Sequence, residues 1–341
     1  MEKILFVLKR PSDKEDYSTN KHTGLFNSCV FLVELLNDIG FEAILDFAVD
    51  GNYIEKLVVK YRPDVVILEA LWVTPDKVIE LSEIYPNIMW LIRIHSDMPF
   101  LANEGIAIEW ILNYTQNSNI YVAFNNEKTF KYFSENMNKN NYLYLPNWYP
   151  HDRISSLIRD AKNEDGYFHI GCFGAIRPLK NQLIQACAAI KYAQQLNLKI
   201  KFHMNTTRIE NNGLNVLKNI RALFNNGGEN YILVEHEWKN HDDFLKIVDQ
   251  MDIGMQVSLS ETFNIITADF VARNKPVVVS EEIDWINPLF RVKTIDVDHI
   301  VSALHLSMDY EFLKLRKLNN LNLINYNHES KKIWLNTFGD L

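Results

Sequence analysis

Cysteine is scarce in this chain of 341 residues. The three present, Cys29, Cys172 and Cys187, are odd in number and have no metal-ligand spacing. A disulfide framework is therefore excluded, and each reads as a small core residue of a reducing compartment. Long apolar runs are missing too: none approaches the ~20 residues that a membrane-spanning helix needs. The N-terminal run from Ile4 to Leu8 is too short for a signal peptide and is followed at once by charge, so it reads as a first strand. Net positive charge is absent. A formal charge of −8 supplies no global field to hold nucleic acid, although a local basic patch is not excluded. Internal repeats and low-complexity tracts are lacking. Together these absences point to a soluble cytoplasmic protein without an integral membrane segment, with peripheral membrane contact left open.

What the sequence does have is alternation. Short apolar runs predict strands at 4–8, 43–47, 65–68, 89–94, 121–124 and 142–145, and again at 168–173, 200–203, 231–234, 253–257 and 276–279. Longer amphipathic segments between them predict helices, among them 24–39, 76–84, 106–117, 182–195, 214–224 and 242–248. Strands bounded by turn residues and separated by helices indicate parallel sheets covered on both faces. Five or six strands in each half suit two doubly wound domains better than one very wide sheet. The expected domains are 1–150 and 151–309, joined across Pro146 to Gly166, with a helical segment over 310–341.

The chemistry concentrates at strand ends. Ser260-Glu261-Thr262-Phe263-Asn264 leads from a strand into a helix that carries Asp269 in its second turn, and a further strand, Pro276 to Val279, follows. A helix N-terminus has unpartnered N–H groups and a positive dipole end, so it favours anionic oxygens. The alternative is a helix with an acidic first turn, which the dipole favours anyway. Upstream, the strand ending at Gly174 leads to Arg177 and Lys180, three apart, before a helix begins. Cations are mildly unfavourable there, so the pair asks for an anion; a solvated basic loop is the plainer reading. His95 follows directly on a buried-looking strand, where ligands of open α/β sheets sit, although a lone histidine is commonly structural. Trp238 lies in a strand-end loop with His236 and His241, and can stack on a ring or simply pack. The spacing of those histidines and their acidic neighbours fits no tight metal cage. Asn147, after Pro146, reads as a turn and hinge residue, and Thr23-Gly24 as a helix start after a long loop.

In this order the motifs resemble retaining glycosyltransferases of the GT-B fold, family 4-like. Their E-x7-E segment matches Glu261 to Asp269 with Asp as the second acid, and their G-x-[LI]-x-x-x-K segment matches Gly174 to Lys180. The resemblance implies two Rossmann-like domains with the C-terminal helix crossing back to the first. It also implies a nucleoside-diphosphate-sugar donor held mainly by the second domain, an acceptor held by the first, and no metal or other cofactor. Arg177 and Lys180 would stabilise the departing diphosphate, assisted by backbone N–H groups of Thr262, Phe263 and Asn264. Glu261 would position sugar hydroxyls, Asp269 the ribose, His95 the sugar from the opposite lip, and Trp238 the base, with Gly24 near the phosphates in a lesser reading. Three departures stand out: Asp269 is one methylene short, Asn264 replaces a Gly after Phe263, and Asn274 stands where a Gly precedes x-P-V-V.

The acceptor is open among a glycan, a lipid-linked glycan, a small molecule and a modified nucleic-acid base. Two rivals keep the fold and change the function: a sugar-nucleotide epimerase or hydrolase, and a non-catalytic sugar- or partner-binding protein. The first would carry extra acid/base groups facing the donor, of which no clear set is present. Retention of Arg177, Lys180 and Glu261 together argues against the second.

Overall fold

The computed structural model describes residues 2–10, 23–137, 141–156, 163–309 and 316–339. The expected loop over 11–22 and parts of both expected domain junctions (157–162 and 310–315) lie outside these residues. The chain divides into two compact units, one of Met1–Tyr149 with Asn327–Leu341, the other of Pro150–Tyr326.

In the first unit β1 (Lys3–Lys9), β2 (Glu42–Ala48), β3 (Val65–Glu69), β4 (Met89–Ile94), β5 (Ile120–Phe124) and β6 (Tyr142–Tyr144) form a sheet in the order β2-β1-β3-β4-β5-β6. Every pairing is parallel. Alternation along the strands sends Leu5, Val7, Val66, Leu68 and Trp90 to one core, and Ile4, Phe6, Val65, Ile67 and Leu91 to the other. The second core is completed from the far end of the sequence by Trp334 and Phe338 of the helix Arg316–Phe338. Trp334 is fully buried, and its indole N–H donates to Pro146 O at 2.9 Å. Chain membership changes inside that helix, at Asn327, and not at residue 310.

In the second unit β7 (Phe168–Gly171), β8 (Ile200–Asn205), β9 (Tyr231–His236), β10 (Ile253–Gln256), β11 (Val277–Ser280) and β12 (Arg291–Val292) run in the order β12-β11-β10-β7-β8-β9, again all parallel. This is the doubly wound order whose direction reverses between β7 and β10, and ligands of such sheets sit outside the carboxyl ends of the strands at that reversal. The strands expected from sequence are all present; the two-residue β12 is too short to leave a periodic signal. The helix expected over 106–117 stops at Tyr114, where the polar run Thr115-Gln116-Asn117-Ser118-Asn119 begins.

One contact seats the helix Ile265–Ala272 on the reversal point. Gly171 and Gly254 are register partners on β7 and β10. A Cβ on Gly254 would stand 2.7 Å from the Phe270 ring, and one on Gly171 2.9 Å from it. The two glycines thus let Phe270 lie directly on the sheet, and the helix that carries Asp269 comes with it.

Candidate functional site

The carboxyl ends of β7 and β10 lead into two loops that are stitched together by buried amides. Gln256 Nε2 donates to Phe173 O (3.2 Å), Gln182 Nε2 to Ala175 O (3.0 Å), and Asn181 Nδ2 to Val257 O (3.1 Å). Gln185 Oε1 accepts from Val257 N (2.9 Å), and Leu259 N donates to Leu179 O (2.8 Å). The four amide side chains are buried, where an unpaired amide is expensive, so each of their bonds also fixes the loop that it touches.

On this scaffold Lys180 and Glu261 form an ion pair between Nζ and Oε1, with side chains only 12% and 9% exposed. Burial works to raise the Glu261 pKa, but Lys180 and, to a lesser extent, Arg177 and a Ser258 hydrogen bond hold it below the usual carboxylate range. Arg177 is extended at φ −158°, Pro178–Lys180 make a single 3-10 turn, and the helix Gln182–Leu196 follows a left-handed Asn181. Arg177 Nη1 also reaches Glu210 Oε2 at 3.1 Å, and Glu210 Oε1 accepts from Arg208 Nε at 2.7 Å. The Arg208 guanidinium lies 5.3 Å from the ring of the half-buried Trp238. Arg208 and Glu210 were missed in the sequence, although both follow closely on the end of β8, a position that invites attention in this kind of sheet.

The helix Ile265–Ala272 begins just after the loop that carries Glu261. Asn264 caps it, with Oδ1 accepting from Thr267 N at 2.9 Å and Nδ2 donating to Gln256 Oε1 at 3.1 Å. Its φ is +56°, and Asn274 stands at φ +54°. Both are left-handed positions, which glycine enters freely and asparagine more readily than other side chains. The two replacements of Gly by Asn therefore keep the backbone conformation that a Gly would supply. Thr262 is half-buried on the same loop. The Phe263 side chain, in contrast, is 2% exposed and stacks on Trp285 and Tyr326, so it is a core group and only its backbone remains for a ligand.

Asp269 is buried, with Oδ1 bonded to His241 Nε2 at 2.7 Å. Burial lowers the His241 pKa, but the Asp269 carboxylate outweighs it and the net shift is upward. His236 is drawn elsewhere. It closes a ladder in which His236 Nε2 meets His203 Nδ1 (2.8 Å), His203 Nε2 meets His169 Nδ1 (2.9 Å), and His169 Nε2 meets Asp165 (3.1 Å). His236 and His241 thus have separate partners rather than a shared centre.

The remaining sequence candidates belong to the first unit. His95 Nε2 bonds Glu69 Oε2, and its Nδ1 lies 3.4 Å from Asn125 Nδ2. Burial depresses the His95 pKa, Glu69 opposes this, and Arg93 adds to it. Arg93 and Glu69 are fully buried; Arg93 also donates to Leu145 O (3.1 Å) and Asn147 Oδ1 (2.5 Å). Asn147, read as a hinge, is thus part of a buried polar network. Asp97 accepts from Met98 N (2.8 Å) and Thr129 Oγ1 (2.7 Å), as a helix cap. Gly24 is the exposed first residue of the helix Gly24–Asp38, which Thr23 caps.

No family model matches the chain. No curated protein sequence matches it. Solved structures do. A trehalose-6-phosphate synthase, OtsA, is 12% identical with a TM-score of 0.73, and the match covers 99% of each chain. The α,α-trehalose 6-phosphate synthase of Burkholderia multivorans is 12% identical with a TM-score of 0.70, over 99% of this chain and 95% of that one. An E. coli trehalose-6-phosphate structure bound with UDP-2-fluoro glucose is 11% identical with a TM-score of 0.69, over 99% and 98%. At such identities the likeness shows the fold: two parallel six-stranded sheets with interleaved helices, the two-domain α/β arrangement called GT-B.

Proposed function

We propose that this protein is a retaining glycosyltransferase that uses a nucleoside-diphosphate-sugar donor without a metal. The observation that carries the reading is the meeting of Lys180 and Glu261, 81 residues apart in sequence, at the reversal point of the second sheet, with Arg177 on the same loop as Lys180. A leaving nucleoside diphosphate gains negative charge as the glycosidic bond breaks. Fixed cations in a partly desolvated site stabilise that charge more in the transition state than in the ground state. In this reading Arg177 and Lys180 supply the cations, backbone N–H groups from Thr262 to Asn264 assist, and Glu261 orients the sugar hydroxyls. The His241–Asp269 pair, rather than Asp269 alone, faces the ribose, and Trp238 offers a face to the base. The sugar contact expected of His95 rests on the resemblance alone. A phosphate oxygen of the leaving group takes the proton of the acceptor hydroxyl, so no enzyme base is needed and the anomeric configuration is kept. The UDP-2-fluoro glucose bound in one of the solved structures makes UDP-sugars the first donors to try; the acceptor class stays open.

The test is a thermal-shift screen with nucleoside-diphosphate sugars, since binding to the folded state raises apparent stability, followed by turnover of the best donor in EDTA. Turnover that persists supports the reading. Loss in chelator that Mn²⁺ or Mg²⁺ restores would overturn the metal-free mechanism.

A further inference from the structure

Glu210 touches the residue on which the proposed reaction turns. One of its oxygens accepts from Arg177 and the other from Arg208 (3.1 and 2.7 Å). The backbone that carries it is tied to the backbone that carries Arg177. Ile176 N donates to Arg208 O (2.9 Å), Glu210 N to Ile176 O (2.9 Å), and Gly213 N to Glu210 O (2.8 Å), around a parallel bridge from Ile176 to Ile209. Gly213 has to be glycine here, because a Cβ would stand 2.0 Å from Ile176 O. The loop after β8 is thereby held against the loop after β7, one residue from Arg177.

An ion pair between long side chains on loose loops contributes little, since ordering them uses up the Coulombic gain. On stitched backbone one end of the pair is already ordered, and the partner inherits its direction. A guanidinium presents its donors in a rigid planar fork. Fixing one N–H of Arg177 on Glu210 therefore orients the others. The carboxylate also removes one unit of positive charge from a cluster of Arg177, Arg208 and Lys180 that Glu261 balances only in part.

We propose that Glu210 is a positioning residue for glycosyl transfer, acting through Arg177 to fix how the guanidinium meets the leaving diphosphate. This rests on the donor reading above. Orientation and charge then pull in opposite directions when the carboxylate is neutralised. Glu210→Gln should lower kcat for UDP-glucose turnover about tenfold, while UDP, titrated by calorimetry, binds as tightly as before or tighter. A residue that merely supports the loop would weaken both together. The decisive measurement is a double-mutant cycle. In an Arg177→Ala background Glu210→Gln should have no further effect on kcat, because the group it acts through is gone. Independent, multiplying losses would overturn the positioning role, as would an unchanged kcat in Glu210→Gln while Arg177→Ala is impaired; both leave the donor reading intact. Full turnover in Arg177→Ala would overturn the donor reading and the role of Glu210 with it. Melting curves report the fold of each variant; should Glu210→Gln fail to fold, Glu210→Asp, which keeps the charge and shortens the reach, carries the same cycle.

Discussion

Lys180→Met tests the centre of the site through stability and rate at once. Methionine keeps most of the stem of Lys180 and deletes its charge, leaving Glu261, 9% exposed, without its ion-pair partner. Breaking a buried pair on one side typically costs about 3–5 kcal/mol. Here protonation sets a ceiling. Carrying a carboxyl of ordinary pKa 4.5 as the neutral acid at about pH 7 costs ~3.4 kcal/mol, and at about pH 5 only ~0.7. In the wild type the folded-state pKa of Glu261 lies below the unfolded value. Its contribution is therefore fully present above the unfolded pKa and is lost only as pH falls through the lower, folded one. In the variant burial is opposed only by Arg177 and a hydrogen bond from Ser258, and the folded pKa should rise above the unfolded one. The folded state then holds a proton that the unfolded state has released, and stability falls as pH rises. The expected result, by urea denaturation followed by circular dichroism, is a loss of about 3 kcal/mol at about pH 7 that shrinks below about 1 kcal/mol at about pH 5. Turnover of the donor should fall on the order of a hundredfold. An offset that is the same at both pH values, or no offset at all, would refute the assignment of Lys180 as the partner of Glu261.

The histidine ladder should make the second unit acid-sensitive. Burial, with His236, His169 and Lys201 adding to it and Asp165 opposing, takes the His203 pKa down to about 3. The unfolded chain then binds a proton that the folded one refuses, so stability should drop by about 1.4 kcal/mol per pH unit below about 6.5, and His203→Phe should flatten that slope. An unchanged slope in denaturation titrations would count against the ladder. Asn264→Ala should destabilise by about 1–2 kcal/mol, through the lost cap and the left-handed backbone, whereas Asn264→Gly should recover most of it; equal losses in melting experiments would mean that φ does not matter there. Gly254→Ala drives a methyl into the Phe270 ring and should cost about 1–3 kcal/mol, with donor binding weakened as the helix Ile265–Ala272 shifts. Unaltered melting and binding would sink that account of how the helix is seated.

The fold was legible because parallel strands buried on both faces leave short continuous apolar runs. Val65–Glu69 and Val277–Ser280 are buried at every position, and each was found to within two residues. Lys180 and Glu261 stood out for a related reason, as charged side chains in loops past the carboxyl ends of buried strands; their pairing with each other was not legible. What the sequence could not carry was the partner of each polar group. Glu69 reads as one more strand residue until Arg93, His95 and Asn147 are seen to converge with it. The buried amides Asn181, Gln182, Gln185 and Gln256 carry no charge and no period, yet they hold the two loops of the site in place.

The departures from the pattern that the sequence resembles show where residue identity misleads. At Asn264 and Asn274 a lost glycine looks like damage, yet the torsion angles match what glycine would provide and the cap at Asn264 adds a hydrogen bond. At Asp269 the substitution looks conservative, and the structure makes it the larger change. A carboxylate one methylene shorter reaches less far from its helix, and here it is buried with His241 on one oxygen. Charge and hydrogen-bonding capacity are present in that pair, but the partially exposed member is the imidazole. A position that presents an acceptor-only carboxylate in the family pattern thus presents an imidazole whose pKa Asp269 raises. In the proposed donor reading the group offered to the ribose is then an imidazole nitrogen, an acceptor when His241 is neutral and a donor when it is protonated.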